Sequence, residues 1–83
     1  MLLILPLSER LVRYLSNHGL KERFEKQKRL LETNPFHPSL NIELLKPGHL
    51  KIYSFRITIN YRAIFVYCGN KTIEIIDINN HYQ

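Results

Sequence analysis

The chain holds a single cysteine, Cys68. No disulfide can close within it, and a reducing compartment such as the cytoplasm suits it best. Nowhere does it approach the ~18–20 consecutive apolar residues of a membrane-spanning helix. The opening MLLILPL is too short for a signal-peptide core, lacks a basic start and meets Pro6 at once. Repeats, low-complexity runs and linkers are absent, as are a phosphate-binding loop, a dinucleotide fingerprint and a nucleophile elbow. His18, His37 and His49 lack the spacing of metal ligands. These absences exclude the large nucleotide-dependent and zinc-dependent classes, and no metal, cofactor or membrane partner is expected.

What is present describes one small domain over residues 1–83, with room for one core. A 45% hydrophobic and 23% charged composition is that of a globular protein. Twelve Lys and Arg against seven Asp and Glu leave a net charge of +5. On so small a surface that excess favours a polyanion or an acidic protein as partner.

The order of elements follows from spacing and punctuation. Leu2–Leu5 reads as a short strand ended by Pro6. Ser8 is placed to cap a helix whose Leu7, Leu11, Tyr14 and Leu15 share a face, and Asn17-His18-Gly19 ends it. A second helix is predicted from Leu20 to Thr33, with Leu20, Phe24 and Leu31 inward and Leu30 beside them. Its Glu22/Lys26, Glu25/Arg29 and Lys28/Glu32 spacings suit a solvated face of i,i+4 pairs, and Asn34-Pro35 stops it. Then the period changes to two. Leu40, Ile42 and Leu44 predict a half-buried strand, Lys46-Pro47-Gly48 a turn, and residues 50–59 a strand. Tyr61–Cys68 continues after a bend at Asn60, with Cys68 in the core. Gly69-Asn70 marks a hairpin, and the apolar run Thr72–Ile78 predicts an interior strand. The result is an α+β fold, β-α-α-β-β-β-β, with two N-terminal helices packed on a curled, mainly antiparallel sheet of four to five strands.

Two arginines stand out against this pattern. Arg56 and Arg62 lie on consecutive strands and, if alternation holds, on the same face. The chain closes with NNHYQ directly after the last strand, which brings His81 and Tyr82 toward one end of that sheet if this strand pairs beside the one bearing Arg62. Arginine holds phosphate oxygens through a planar fork, histidine moves a proton near neutral pH, and tyrosine stacks or donates a hydrogen bond. Such a set suits phosphate chemistry without a metal. The alternative for each is structural: Arg62 pairing with Glu43 or Asp77, Arg56 likewise paired, and His81-Tyr82 a frayed tail.

Taken together, LLETNPFHPSL, IYSFRITINYRAIFVY and the terminal IDINNHYQ resemble the RelE/ParE superfamily of toxin–antitoxin toxins over residues 3–82. The resemblance implies two helices on a curled antiparallel sheet and a cognate antitoxin as partner. It also implies one of two activities. RelE-like members cleave mRNA in the ribosomal A site, using the RNA's own 2′-hydroxyl and no cofactor. ParE-like members inhibit DNA gyrase and are not nucleases. By this resemblance Arg62 matches an arginine that contacts the scissile phosphate, and Arg56 a frequently basic position before it. His81-Tyr82 resembles the terminal His-Tyr pair of YoeB-like toxins, whose histidine is the general acid, and His81 also matches the late histidine of YafQ-like members. The general base is Glu43 or a lysine, with Lys46 and Lys51 nearby; these lysines and Arg56 are expected to bind RNA.

Overall fold

Capping residues decide where the helices begin and end. In the computed structural model, which describes residues 1–80, Ser8 caps α1 (Glu9–Asn17), its Oγ accepting from the Leu11 N–H at 3.4 Å. Gly19 follows at φ +64°, a conformation that a side chain would disfavour. Helix α2 (Lys21–Thr33) then runs to the Asn34-Pro35 stop. Its expected i,i+4 ion pairs do not close. Among the described residues the pairs within 4.0 Å are Arg10–Asp77 and Arg62–Glu43.

The helices pack on a five-stranded mixed sheet, an α+β architecture. The strands are β1 (Leu3–Ile4), β2 (Glu43–Leu44), β3 (Ile52–Arg56), β4 (Tyr61–Tyr67) and β5 (Thr72–Asn80), in the order β1-β5-β4-β3-β2. Strand β1 runs parallel to β5, and the other neighbours are antiparallel. Phe55 opposes Ala63 and Tyr53 opposes Phe65 on the face toward the helices. There they meet Leu11, Leu15, Phe24 and Leu31, all buried. Burying each Leu or Phe of this kind stabilises by about 1.5–3 kcal/mol. Because strand side chains alternate, Arg56 and Arg62 lie on the other face, as their spacing predicts. A register shift at Ile64/Phe65 breaks the parity of β5, so that Ile73, Ile75 and Ile78 are buried while Ile76 reaches solvent.

Three further expectations change. Leu40, Ile42 and Leu44 do not form one half-buried strand. Pro38–Leu40 is a 3-10 turn capped by His37, whose Nδ1 accepts the Ser39 N–H at 3.1 Å, and Asn41 follows at φ +44°. Local side chain–backbone bonding and the tolerance of asparagine for left-handed φ outcompete the strand. Leu40 is buried, whereas Ile42 and Leu44 are exposed. Likewise the strand predicted over residues 50–59 shrinks to Ile52–Arg56. Lys51 takes φ +55° before it, and after it the Thr58 Oγ accepts from Asn60 and Tyr61, making a bend that exposes Ile59. Finally, Cys68 is exposed rather than in the core. Strand β4 ends at Tyr67 and the chain turns through Gly69 at φ +100°, leaving the thiol 3.8 Å from Glu74 Oε1.

One buried polar residue ties these parts together. Gln27 on α2 is buried, and its Nε2 donates to Ser39 O at 3.1 Å and to Arg56 O at 2.9 Å. It pins the 3-10 turn and the end of β3 to the helix. Gln27→Ala strands two inward carbonyls, and the expected cost is about 2 kcal/mol. Urea unfolding of the variant and wild type at 25 °C measures it.

Candidate active site

The outer face of the sheet gathers its charge where β3, β4 and β5 come to one end. Arg62 on β4 faces Arg56 on β3 and Asn79 on β5 as cross-strand neighbours. An arginine on a solvent-side face would normally extend into water, yet Arg62 is only 4% exposed. The loop into β2 covers it. Nε donates to Ser54 Oγ at 2.9 Å, while Nη2 donates to Ser54 O at 3.3 Å and to Asn41 O, and pairs with Glu43 Oε1 at 3.2 Å. The left-handed turn at Asn41 is what carries that carbonyl to the guanidinium. Burial lowers the Arg62 pKa, the Glu43 carboxylate raises it, and Arg56 lowers it again. A guanidinium nonetheless stays charged at any working pH.

Of the two partners the sequence offers Arg62, the structure selects Glu43. Asp77 instead receives Arg10 from α1 at 3.4 Å. Glu43, Leu45, Ser54, Arg62, Ile64 and Asn79 line a cleft of about 210 Å³. The two charged groups differ in access: the Glu43 side chain is 46% exposed and that of Arg62 only 5%. A carboxylate open to solvent beside a guanidinium fixed from behind can take up a proton and hold an anion at one place.

The other expected residues are distributed unevenly. Arg56 is half-buried at the end of β3, in register with Arg62. Lys46 and Lys51 are exposed on the connection between β2 and β3 and do not line the cleft. His81 and Tyr82 lie outside the described residues. Strand β5 runs as far as Asn80, which opposes Tyr61, one peptide bond before His81. Ser54, Asn41 and Asn79 were not singled out from sequence. Ser54 alone left a signal there, a small polar residue two positions from Arg56 on the same face.

Beside this end of the sheet, Tyr14 and His18 of α1 stack with ring centroids 4.0 Å apart, and Tyr61 meets Tyr14 edge-on. Burial, then the charges of Tyr61 and Asp77, push the Tyr14 hydroxyl above its ordinary pKa. The described residues bring together no group of three His, Cys, Asp or Glu able to hold a metal. No helix among them is long and apolar enough to cross a membrane.

An α+β fold with two helices on one face of a mixed five-stranded sheet has close counterparts among solved structures. The chain superposes on a YoeB/ParE toxin from Agrobacterium tumefaciens with a TM-score of 0.70 and 23% identity, covering 98% of each chain. It also matches a chain of the YoeB–YefM complex from Staphylococcus aureus with a TM-score of 0.68 and 19% identity, over 99% of this chain and 97% of that one. No family model and no curated protein matches the sequence. At these identities the likeness establishes the fold: the chain has the architecture of these toxins, as the resemblance implied.

Proposed function

We propose that the chain is the toxin of a toxin–antitoxin pair and acts in the cytoplasm as a ribosome-dependent mRNA endoribonuclease. The carrying observation is the Glu43–Arg62 pair in the outer-face cleft, on a fold shared with a YoeB/ParE toxin. In this reading Glu43 removes the proton from an RNA 2′-hydroxyl, whose oxygen attacks the adjacent phosphorus. The O2′–P bond forms as the P–O5′ bond breaks, giving a 2′,3′-cyclic phosphate and a 5′-hydroxyl. Arg62, assisted by Arg56, stabilises the extra negative charge of the pentacoordinate phosphate. Its bonds to Ser54 and Asn41 hold it in place beforehand, so little reorganisation is needed as charge develops. His81 protonates the departing 5′-oxygen, and Tyr82 positions the RNA beside it. Lys46 and Lys51 contact flanking phosphates of mRNA or ribosomal RNA.

A cognate antitoxin is the expected protein partner. The match to a structure that is itself a YoeB–YefM complex supports it. One observation favours a second reading, a ParE-like inhibitor of DNA gyrase with no chemistry of its own: Arg62 is already engaged by Ser54, Asn41 and Glu43. The test is primer extension on mRNA exposed to the purified protein with and without translating ribosomes, beside a gyrase supercoiling assay. Cuts only with ribosomes support the nuclease. Intact mRNA with blocked supercoiling moves the assignment to gyrase.

If Glu43 is the base, Glu43→Gln removes the limb of the pH–rate profile along which cleavage rises with pH. A variant that keeps that limb transfers the role to a lysine.

A further inference from the structure

A guanidinium offers N–H bonds from three nitrogens, and in Arg62 two of the three are committed to neighbours. Nε donates to Ser54 Oγ, and Nη2 donates to Ser54 O and Asn41 O. Glu43 Oε1 stands 3.2 Å from Nη2 yet accepts no hydrogen bond from it. Asp77 differs, since it takes both the charge of Arg10 and a hydrogen bond. The Glu43 carboxylate is thus held to Arg62 by charge alone. Nη1, with two N–H bonds, has no hydrogen-bond partner among the described residues, and none of their buried side-chain nitrogens or oxygens is left unpaired. That edge of the guanidinium is open to a ligand in the cleft that Arg62 lines.

The charges are also out of balance. Arg56 and Arg62 are opposed across β3 and β4, an arrangement in which like charges repel. Arg56 has no carboxylate within 4.0 Å among the described residues, so one acid, Glu43, faces two cations. Taking Glu43 away with nothing in its place would leave a guanidinium that is only 5% exposed without a counter-charge, which is costly. A phosphate satisfies both needs. Its oxygens accept from Nη1 and from the exposed Asn79 amide opposite Arg62 on β5, and it carries up to two negative charges. An RNA phosphodiester carries one and gains the second as the 2′-oxygen adds. A carboxylate side chain from a protein partner brings one charge, no better a match than Glu43 itself.

We propose that Glu43 is a placeholder: it balances Arg62 in the free protein, and a phosphate entering at Nη1 displaces it. The consequence for catalysis rests on the nuclease reading. Displacement frees the carboxylate to take the 2′-hydroxyl proton only once a phosphate is in place. The exchange itself is tested with inorganic phosphate at neutral pH and physiological salt, without RNA or ribosomes. NMR follows the Arg62 Nε–H resonance and the Glu43 side-chain carboxyl carbon. Phosphate is expected to move both signals with one Kd. Glu43→Gln keeps the side chain's size and gives up no hydrogen bond. It is expected to bind phosphate about 5–20-fold more tightly, because a site that its own carboxylate fills most of the time binds weakly in proportion to the vacant fraction. Glu74→Gln is the control. It removes the same charge from β5 opposite Val66, about 13 Å along the strand from Arg62. That lies beyond the screening length of about 8 Å, so a change of less than about twofold is expected. A Kd unchanged in Glu43→Gln, or tightened equally in the two variants, overturns the proposal. So does phosphate that leaves the Arg62 signal unmoved in both wild type and Glu43→Gln, or that moves it while the Glu43 carboxyl carbon stays fixed. Ribosome-dependent cleavage, measured separately, decides the nuclease reading whichever way this falls.

Discussion

Arg62→Ala is expected to lower ribosome-stimulated mRNA cleavage by about 10²–10³-fold, the scale for losing one preorganised electrostatic stabiliser. The same change costs the fold about 2–3 kcal/mol, below the 3–5 kcal/mol typical of breaking a buried ion pair. The reduction has a physical cause. When Arg62 is removed the Glu43 carboxylate is not trapped, because its side chain is already 46% exposed and water takes over. What remains is the loss of the bonds to Ser54 Oγ, Ser54 O and Asn41 O, plus a small cavity. For a domain of this size, whose whole stability is of order 4–12 kcal/mol, that is a large fraction.

The two effects need separating, and Arg62→Lys does it. Lysine keeps the positive charge but cannot span Ser54 and Asn41 with one ammonium. Its expected cost to stability is smaller than that of alanine, while cleavage still falls because the charge is no longer held in place. Cleavage is read at a temperature where circular dichroism shows each variant fully folded. A folded Arg62→Lys or Arg62→Ala protein that cuts at the wild-type rate reduces Arg62 to a structural role, and the gyrase reading gains.

How much of this was legible beforehand depends on what set each element. Ser8, Gly19 and Pro35 act through their own backbone neighbours, so the helix limits follow from sequence. The alternation in 52–56 and 61–67 is set by burial on one face, so the shared face of Arg56 and Arg62 follows too. Residues 38–51 were misread because local bonds outcompeted the hydrophobic alternation there: His37 caps a 3-10 turn, and Asn41 and Lys51 enter left-handed conformations. The partners of Arg62 were half legible. Glu43 could be named as a charge of opposite sign, but the Asn41 carbonyl is a backbone group delivered by that misread loop, and any residue there would carry one. Gln27 was not singled out from sequence, although it falls on the same helical face as Leu20, Phe24 and Leu31. Its burial follows from that period, whereas its partners, the Ser39 and Arg56 carbonyls, are backbone groups that no local pattern announces, one of them delivered by the misread 3-10 turn.

Changing His81 has the largest expected effect under the nuclease reading: His81→Ala slows single-turnover cleavage by about 10²–10⁴-fold, the range for removing a general acid. The support is positional. Strand β5 places Asn79 beside Arg62 and Asn80 beside Tyr61, and His81 is the next residue in the chain. A general acid must come within hydrogen-bond reach of the leaving oxygen, and His81 follows in the chain one peptide bond after Asn80, the last described residue of β5. A substrate with sulfur in place of the 5′-bridging oxygen isolates the role. A thiolate leaves without being protonated, so His81→Ala is expected to cleave the sulfur substrate near the wild-type rate while remaining slow on the oxygen substrate. Equal slowing on both would assign His81 to binding or positioning instead. Intact cleavage after deletion of residues 80–83 would remove both His81 and Tyr82 from the mechanism, leaving the Glu43–Arg62 pair to account for the chemistry alone.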